Sequence, residues 1–162
     1  MEIEMTIKGL MIDPITSMPI IVLRDREGQR VLPIWVGVFE ANAIALQMEN
    51  VQTPRPMTHD LMKNILEDLE AQVERIVVSG LKDNTFYAVI HLSSGSVTRA
   101  VDARPSDAIA LALRTKSPIY VEESVIRDAK SLEQSKELPL DTSRLQKWLE
   151  DLSDEELGKY KM

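Results

Sequence analysis

The chain contains no cysteine, which excludes disulfide bonds and metal sites built from thiolates. It has only two histidines and seven aromatic residues, so little is available for a base-stacking surface. No apolar run approaches the roughly 20 residues of a membrane-spanning helix, and the acidic start "MEIEM" is unlike a signal peptide. These absences predict a cytoplasmic protein.

Basic residues are outnumbered by acidic ones, 19 to 26, which gives a net charge of −7 that is not confined to one end of the chain. Proteins that bind duplex nucleic acid across many phosphates are usually basic, because the release of counterions drives that binding. The charge therefore argues against strong non-specific DNA binding, but it leaves open a locally basic cleft. With 44% apolar and 28% charged residues, the chain has the composition of a globular protein.

The apolar pattern predicts an α+β fold. "EIEMTIKGL" alternates as a half-buried strand does, and the runs on either side of "RDREGQ" predict a hairpin over 19–36, with Pro33 at an edge or bulge. A helix over about 39–50 follows. Thr58 is the predicted N-cap of a second helix, whose predicted buried face has residues four apart: Leu61, Ile65, Leu69 and Val73.

The same order of signals then starts again. "VERIVVSGL" predicts a strand, "FYAVIHL" and "SVTRAVDA" a hairpin, and "PSDAIALALRT" a helix that is buried on most sides. Both predicted units contain a Gly-Leu pair, a hairpin and a helix with "AIAL". We therefore predict a duplicated strand–hairpin–helix unit, with a mainly antiparallel or mixed sheet flanked by helices. "PIYV" adds a short strand after the second unit.

The end of the chain predicts a separate extension. We divide the sequence into a domain over 1–133 and a C-terminal helical extension over 134–162. Four apolar residues of the extension have helical spacing: Leu145, Trp148, Leu149 and Leu152. A short apolar helix of this kind is often buried against a neighbour, so we predict a homo-oligomer, a dimer or higher.

Acidic, basic and histidine residues gather where the predicted helices begin. "GVFEANAIAL" contributes Glu40, "RPMTHDLM" contributes Arg55, His59 and Asp60, and "DARPSDAIALA" contributes Asp102, Arg104, Ser106 and Asp107. Ser and Asp at a helix start are explained by capping and by the helix dipole alone. Capping needs no arginine before either proline, so we predict that "RPMTHD" and "DARPSD" meet in one pocket. On simple helix geometry His59 is exposed, whereas His91 falls in a strand and is interpreted as structural.

No named catalytic motif occurs: the sequence contains no G-x-S-x-G, P-loop, G-x-G-x-x-G or H-E-x-x-H. Without cysteine, and with two histidines, any metal would be held mainly by carboxylates, which suits Mg²⁺ or Mn²⁺ better than Zn²⁺. From the residues alone, the interpretation ends at an α+β domain with ionisable groups at its helix starts.

Three segments, "LPIWVGVFEANAIAL", "RPMTHDLM" and "DARPSDAIALALR", resemble the bifunctional nuclease family in their order and separation. The similarity covers residues 1 to about 133. It implies hydrolysis of phosphodiester bonds in DNA and RNA, which needs an activated water and stabilisation of charge on the phosphoryl oxygens. The scarcity of aromatic residues predicts cleavage with little sequence specificity.

Roles for the candidate residues follow from that implied reaction. The catalytic set is His59, Asp60, Asp102, Asp107 and Glu40; the phosphate-binding set is Arg55, Arg104 and Ser106. A divalent cation, Mg²⁺ or Mn²⁺, would be shared by Asp102, Asp107 and Glu40. The alternative is a non-catalytic module that binds a protein partner or a small anionic ligand, which the net charge and the capping explanation favour.

Overall fold

The computed structural model describes residues 1–135 and contains seven strands and four helices over that range. In chain order the strands are β1 (Glu2–Ile12), β2 (Pro19–Asp25), β3 (Val31–Trp35), β4 (Gln72–Lys82), β5 (Thr85–Ser94), β6 (Val97–Ala103) and β7 (Ile119–Glu122). The helices are α1 (Val38–Met48), α2 (Thr58–Asp68), α3 (Pro105–Thr115) and α4 (Glu123–Ser135). The helix predicted around Leu145 to Leu152 lies outside the described residues, as does most of the predicted extension.

The seven strands form one mixed sheet in the order β3-β2-β1-β7-β4-β5-β6. Only β4 and β7 run parallel; the other neighbouring pairs are antiparallel. Pro33 lies on β3, an edge strand of the sheet, where the missing N–H costs no ladder hydrogen bond, as the sequence predicted. The predicted α+β fold with a mixed sheet is therefore confirmed.

The duplication predicted from the sequence is also present. Three antiparallel strands lead into α1 in the first unit, and three antiparallel strands lead into α3 in the second. Each first strand has a bulge at the matched glycine: the register shifts between Ile7 and Gly9 in β1, and between Val78 and Gly80 in β4. Equivalent bulges at equivalent glycines support the repeat independently of the element order.

The core lies between the sheet and α3. All five residues from Ala108 to Ala112 are buried, and the helix packs against α1, α2, β4 and β5. Alanines at three of these positions allow the close approach of neighbouring elements. The prediction that this helix is buried on most sides is confirmed. None of the helices within residues 1–135 is long and apolar enough to cross a membrane.

Helix α2 differs from its prediction in three respects. Its N-cap is Met57 rather than Thr58, and Val73 belongs to β4 instead of continuing the helix. The predicted buried face is wrong as well, because Leu61, Ile65 and Leu69 are exposed. A second set of apolar residues on α2, Met62 and Leu66, packs against the core in their place.

Candidate active site at the helix starts

The first turns of α2 and α3 meet through one hydrogen bond between His59 and Asp107. His59 Nε2 lies 2.9 Å from Asp107 Oδ1, and the histidine is only 7% exposed. The prediction of an exposed His59 was wrong, because the inward face of α2 is the one that carries this residue. Since an ionised carboxylate can only accept, the hydrogen of this bond lies on Nε2, and in the neutral form of the imidazole Nδ1 is then the acceptor nitrogen.

Arg104 binds two carboxylates that come from different helices. Its Nε donates to Asp107 Oδ2 and its Nη2 donates to Glu40 Oε1, both over 2.9 Å. The hydrogen bond to Asp107 first, and then the one to Glu40, raise the pKa of Arg104 above its usual value. Glu40 folds back over the start of α1, where a side chain at Gly37 would collide with the carboxylate. Arg104 is nevertheless 65% exposed, so part of its guanidinium remains open to solvent.

A buried arginine that the sequence analysis did not single out holds the other carboxylate of α2. Arg114 exposes 4% of its side chain, and its Nε donates to Asp60 Oδ1 over 2.7 Å. Its other nitrogens donate to the backbone carbonyls of Ala110 and Ala43. In the sequence, Arg114 is an ordinary cation in the last turn of a helix; its only unusual feature is that it ends a wholly apolar run.

Asp60 is also a capping residue, since its Oδ2 accepts the backbone N–H of Met57 over 3.0 Å. Burial alone would raise the pKa of Asp60, but the hydrogen bonds from Met57 and from Arg114 hold that pKa below its ordinary value. The carboxylate is therefore ionised at neutral pH and committed to structure on both oxygens.

Three residues of the predicted site are not joined to this network by a side-chain hydrogen bond or ion pair within residues 1–135. Ala103 packs against the core, so its neighbour Asp102 points to the opposite face of β6, because successive strand residues alternate. Asp102 and Arg104 do not pair with each other. Arg55 is exposed and Ser106 is buried at the start of α3. The two segments meet through the single hydrogen bond between His59 and Asp107.

The three predicted metal ligands do not converge on one point among the described residues. Within residues 1–135 no group of three or more histidine, aspartate or glutamate side chains could hold a metal ion. Glu40 and Asp107 do converge, but on the Nη2 atom of Arg104, which already supplies the positive charge between them. The third predicted ligand, Asp102, points to another face.

A hollow of about 500 Å³ lies elsewhere, beside β1 and the turn between β2 and β3, where Arg24 and Arg26 contribute to its wall. None of the residues predicted from the sequence lines this hollow.

Comparison with known proteins agrees with the resemblance seen in the motifs. The model of the bifunctional nuclease domain matches residues 21–134. An uncharacterised protein of Mycobacterium tuberculosis is 40% identical over 126 residues, which are 78% of this chain and 75% of that protein. Bifunctional nuclease 1 of Arabidopsis thaliana is 34% identical over 107 residues, and bifunctional nuclease 2 of Oryza sativa subsp. japonica is 31% identical over 111.

The matched segments are 64% and 66% of this chain but only 33% and 34% of the two plant proteins. The domain match covers all three candidate helix starts, from Glu40 to Asp107. The chain therefore belongs to the bifunctional nuclease domain family.

Proposed function

We propose that the chain hydrolyses phosphodiester bonds of DNA and RNA with little sequence specificity. The observation that carries this proposal is the His59–Asp107 pair, which lies beside the partly exposed guanidinium of Arg104. A histidine oriented by a carboxylate is a suitable general base, and an arginine beside it can donate charge-assisted hydrogen bonds from its unused Nη1 to a phosphate. Family membership supplies the substrate class.

In the proposed reaction, Nδ1 of His59 takes a proton from water while Asp107 stabilises the imidazolium that forms. The free N–H groups of Arg104 bind the phosphoryl oxygens, and the start of α3 adds its dipole and unpaired N–H groups. The deprotonated water attacks phosphorus, the bond from phosphorus to the leaving oxygen breaks, and His59 returns the proton to that oxygen. Because contacts to the phosphate backbone carry no sequence information, this arrangement favours sequence-tolerant cleavage.

The predicted need for Mg²⁺ or Mn²⁺ stays a prediction, and no step above passes through a metal. The charges at the site disfavour a bound metal ion, since Arg104 already neutralises Glu40 and Asp107. Parallel reactions with Mg²⁺, with Mn²⁺ and with EDTA test the requirement directly. An Asp102→Asn variant in the same assay distinguishes the two possibilities. It should lower the cleavage rate if Asp102 binds a metal ion, and it should leave the rate unchanged if the His59–Asp107 pair acts without one.

Incubation of the purified protein with single- and double-stranded DNA and with RNA would test the activity. His59→Ala is expected to lower the cleavage rate about 100- to 10,000-fold, the usual range for loss of a general base. Asp107→Asn should also lower it, because the amide no longer fixes the imidazole tautomer. His91→Ala, in β5, is the matched control and should cleave as the unaltered protein does. Cleavage that is equal in all four proteins would mean a contaminating nuclease and would refute the proposal.

A second candidate function is a non-catalytic module that binds an anionic ligand or a protein. The favouring observation is that the carboxylate of Asp107 is fully engaged, with His59 on one oxygen and Arg104 on the other. If the chain is such a binding module, neither the unaltered protein nor any variant cleaves nucleic acid, whereas Arg104→Ala still weakens the binding of a phosphorylated ligand.

A further inference from the structure

Helix α2 leaves an apolar surface uncovered in the part of the chain that the structure describes. Its exposed side chains recur at every fourth residue and form what we term the α2 stripe: Met57, Leu61, Ile65 and Leu69. Leu69 is 68% exposed. The row is about 18 Å long at roughly 1.5 Å per residue. Rows of residues four apart are those that interlock in the commonest class of packed helix pairs.

Phe39 at the start of α1 is also a highly exposed apolar residue, at 88%. A row of exposed apolar side chains such as the α2 stripe is the kind of surface that marks an interaction site.

Charge along α2 is arranged unfavourably for a helix that stands alone. Asp68 and Glu70 lie at its C-terminal end, where the helix dipole is negative, and the last turn contains no basic residue. At the opposite end, Arg55 is exposed, and its side chain has no partner within residues 1–135. A partner helix that runs antiparallel would bring opposite charges together at both ends.

We propose that α2 packs antiparallel against α2 of a second copy of this chain, with the α2 stripe at the centre of the contact. A two-fold axis midway along the stripe sets Leu61 against Ile65 of the partner subunit. It also sets Met57 against Leu69 of the partner subunit, so that every apolar residue of the row is covered. Arg55 then lies beside Glu70 of the partner subunit, and each helix start lies beside the acidic end of the other helix.

Nucleic acid does not fit this surface, because the carboxylates of Asp68 and Glu70 would repel its phosphates and the stripe would gain no contact with them. A second copy satisfies both the apolar row and the charges at its ends. The homo-oligomer predicted from the sequence is thus assigned to a different surface from the C-terminal segment. The assignment does not depend on nuclease activity.

Sedimentation velocity at micromolar concentration tests the contact with matched glutamate substitutions. The unaltered chain, of 18.3 kDa, is expected to sediment at about twice that mass or as a larger assembly. Ile65→Glu should reduce the assembly, because it brings a carboxylate into the apolar contact. Val97→Glu is the control, since Val97 on β6 is 49% exposed and Ile65 is 48% exposed. A monomeric unaltered protein, an assembly that survives Ile65→Glu, or equal loss in both variants would overturn the proposal.

Disulfide cross-linking tests which residues face each other across the contact. Because the chain has no native cysteine, any disulfide must form between the introduced residues. Leu61→Cys and Ile65→Cys are prepared as separate proteins, mixed and oxidised with diamide. The mixture is expected to give more disulfide-linked dimer than either variant alone, because the two positions face each other across the axis. A mixture of Val97→Cys with Ile65→Cys controls for random collision, and an equal yield from it would refute the register. Far-UV circular dichroism confirms that each variant is folded.

Discussion

Two neighbouring residues at the start of α2 bind different parts of α3. His59 reaches Asp107 near the beginning of that helix, 48 positions away, and Asp60 reaches Arg114 near its end, 54 positions away. The sequence indicates the residue types at each helix start, because capping and anion binding both select them. It does not indicate the partners, since these are fixed by long-range packing of α2 on α3. That is why Arg114 was missed and His59 was predicted to be exposed.

A buried carboxylate outside the site makes a pH-dependent contribution to stability. Asp13, 4% exposed, accepts hydrogen bonds from Ile15 N–H, from the hydroxyl of Thr16 and from the indole of Trp35. Burial alone would raise the pKa of Asp13, but these bonds together hold it below its ordinary value. The contribution is therefore fully present above the unfolded pKa of about 3.9, and it is lost as the pH falls through the lower folded value.

We expect Asp13→Asn to lower the free energy of unfolding by about 1–3 kcal/mol at neutral pH, because an amide is a poor acceptor for three donors. The difference from the unaltered protein should shrink as the pH falls from about 4 through the lower folded pKa of Asp13, where the native carboxylate becomes protonated. Urea unfolding at neutral pH and at a pH below about 4 measures this difference in the free energy of unfolding, with the exposed Asp102→Asn as the control. A difference of the same size at both pH values would contradict this account.

The helices and strands were largely predictable because apolar periodicity and turn residues are local signals. Which face of a helix is buried is not a local property when two faces are apolar. In α2 both faces have residues four apart, and the structure buries Met62 and Leu66 while Leu61 and Ile65 remain exposed. The correct choice depends on where α3 lies. Helix α4 was not predicted at all, since "VEESVIRDAK" has only a short apolar face.

Arg114 joins three helices, so its loss should be felt by all of them. Removing it leaves Asp60 without its ion pair and the carbonyl of Ala43 without its donor. We expect Arg114→Met to lower the free energy of unfolding by about 2–4 kcal/mol, since a charged buried hydrogen bond is worth more than a neutral one. Arg114→Lys should lower the free energy of unfolding by less, because lysine keeps the positive charge although it lacks the planar guanidinium.

Chemical unfolding at neutral pH measures both Arg114 variants. Arg75→Met is a suitable control, because Arg75 also binds a carboxylate, Glu2, but lies nearer the surface. Exposed ion pairs contribute little, so this variant should change the free energy by less than about 1 kcal/mol. Equal losses in Arg75→Met and Arg114→Met would mean that burial of Arg114 is not the cause.

At the scale of the whole molecule, the two repeated units are joined by a short strand that neither of them contains. β7 lies between β1 and β4, antiparallel to the first and parallel to the second. The repeat was visible in the sequence because each unit has its own turns and its own "AIAL". The position of β7 in the sheet was not visible in the sequence, because a strand of four residues contains no local signal that indicates which strands it pairs with. Its insertion makes one continuous sheet from two units.

This insertion predicts that the two units unfold together. Val121 on β7 is fully buried and pairs with Ile3 of β1 on one side and Val78 of β4 on the other. Val121→Ala removes two methyl groups and leaves a small cavity, which should cost about 1–3 kcal/mol. Because β7 belongs to both halves of the sheet, amide hydrogen exchange should accelerate by the same factor in β2 and in β5. The expected factor is about tenfold for each 1.4 kcal/mol lost. Faster exchange confined to one unit would mean that the repeats are separate folding units, held side by side rather than through a shared strand.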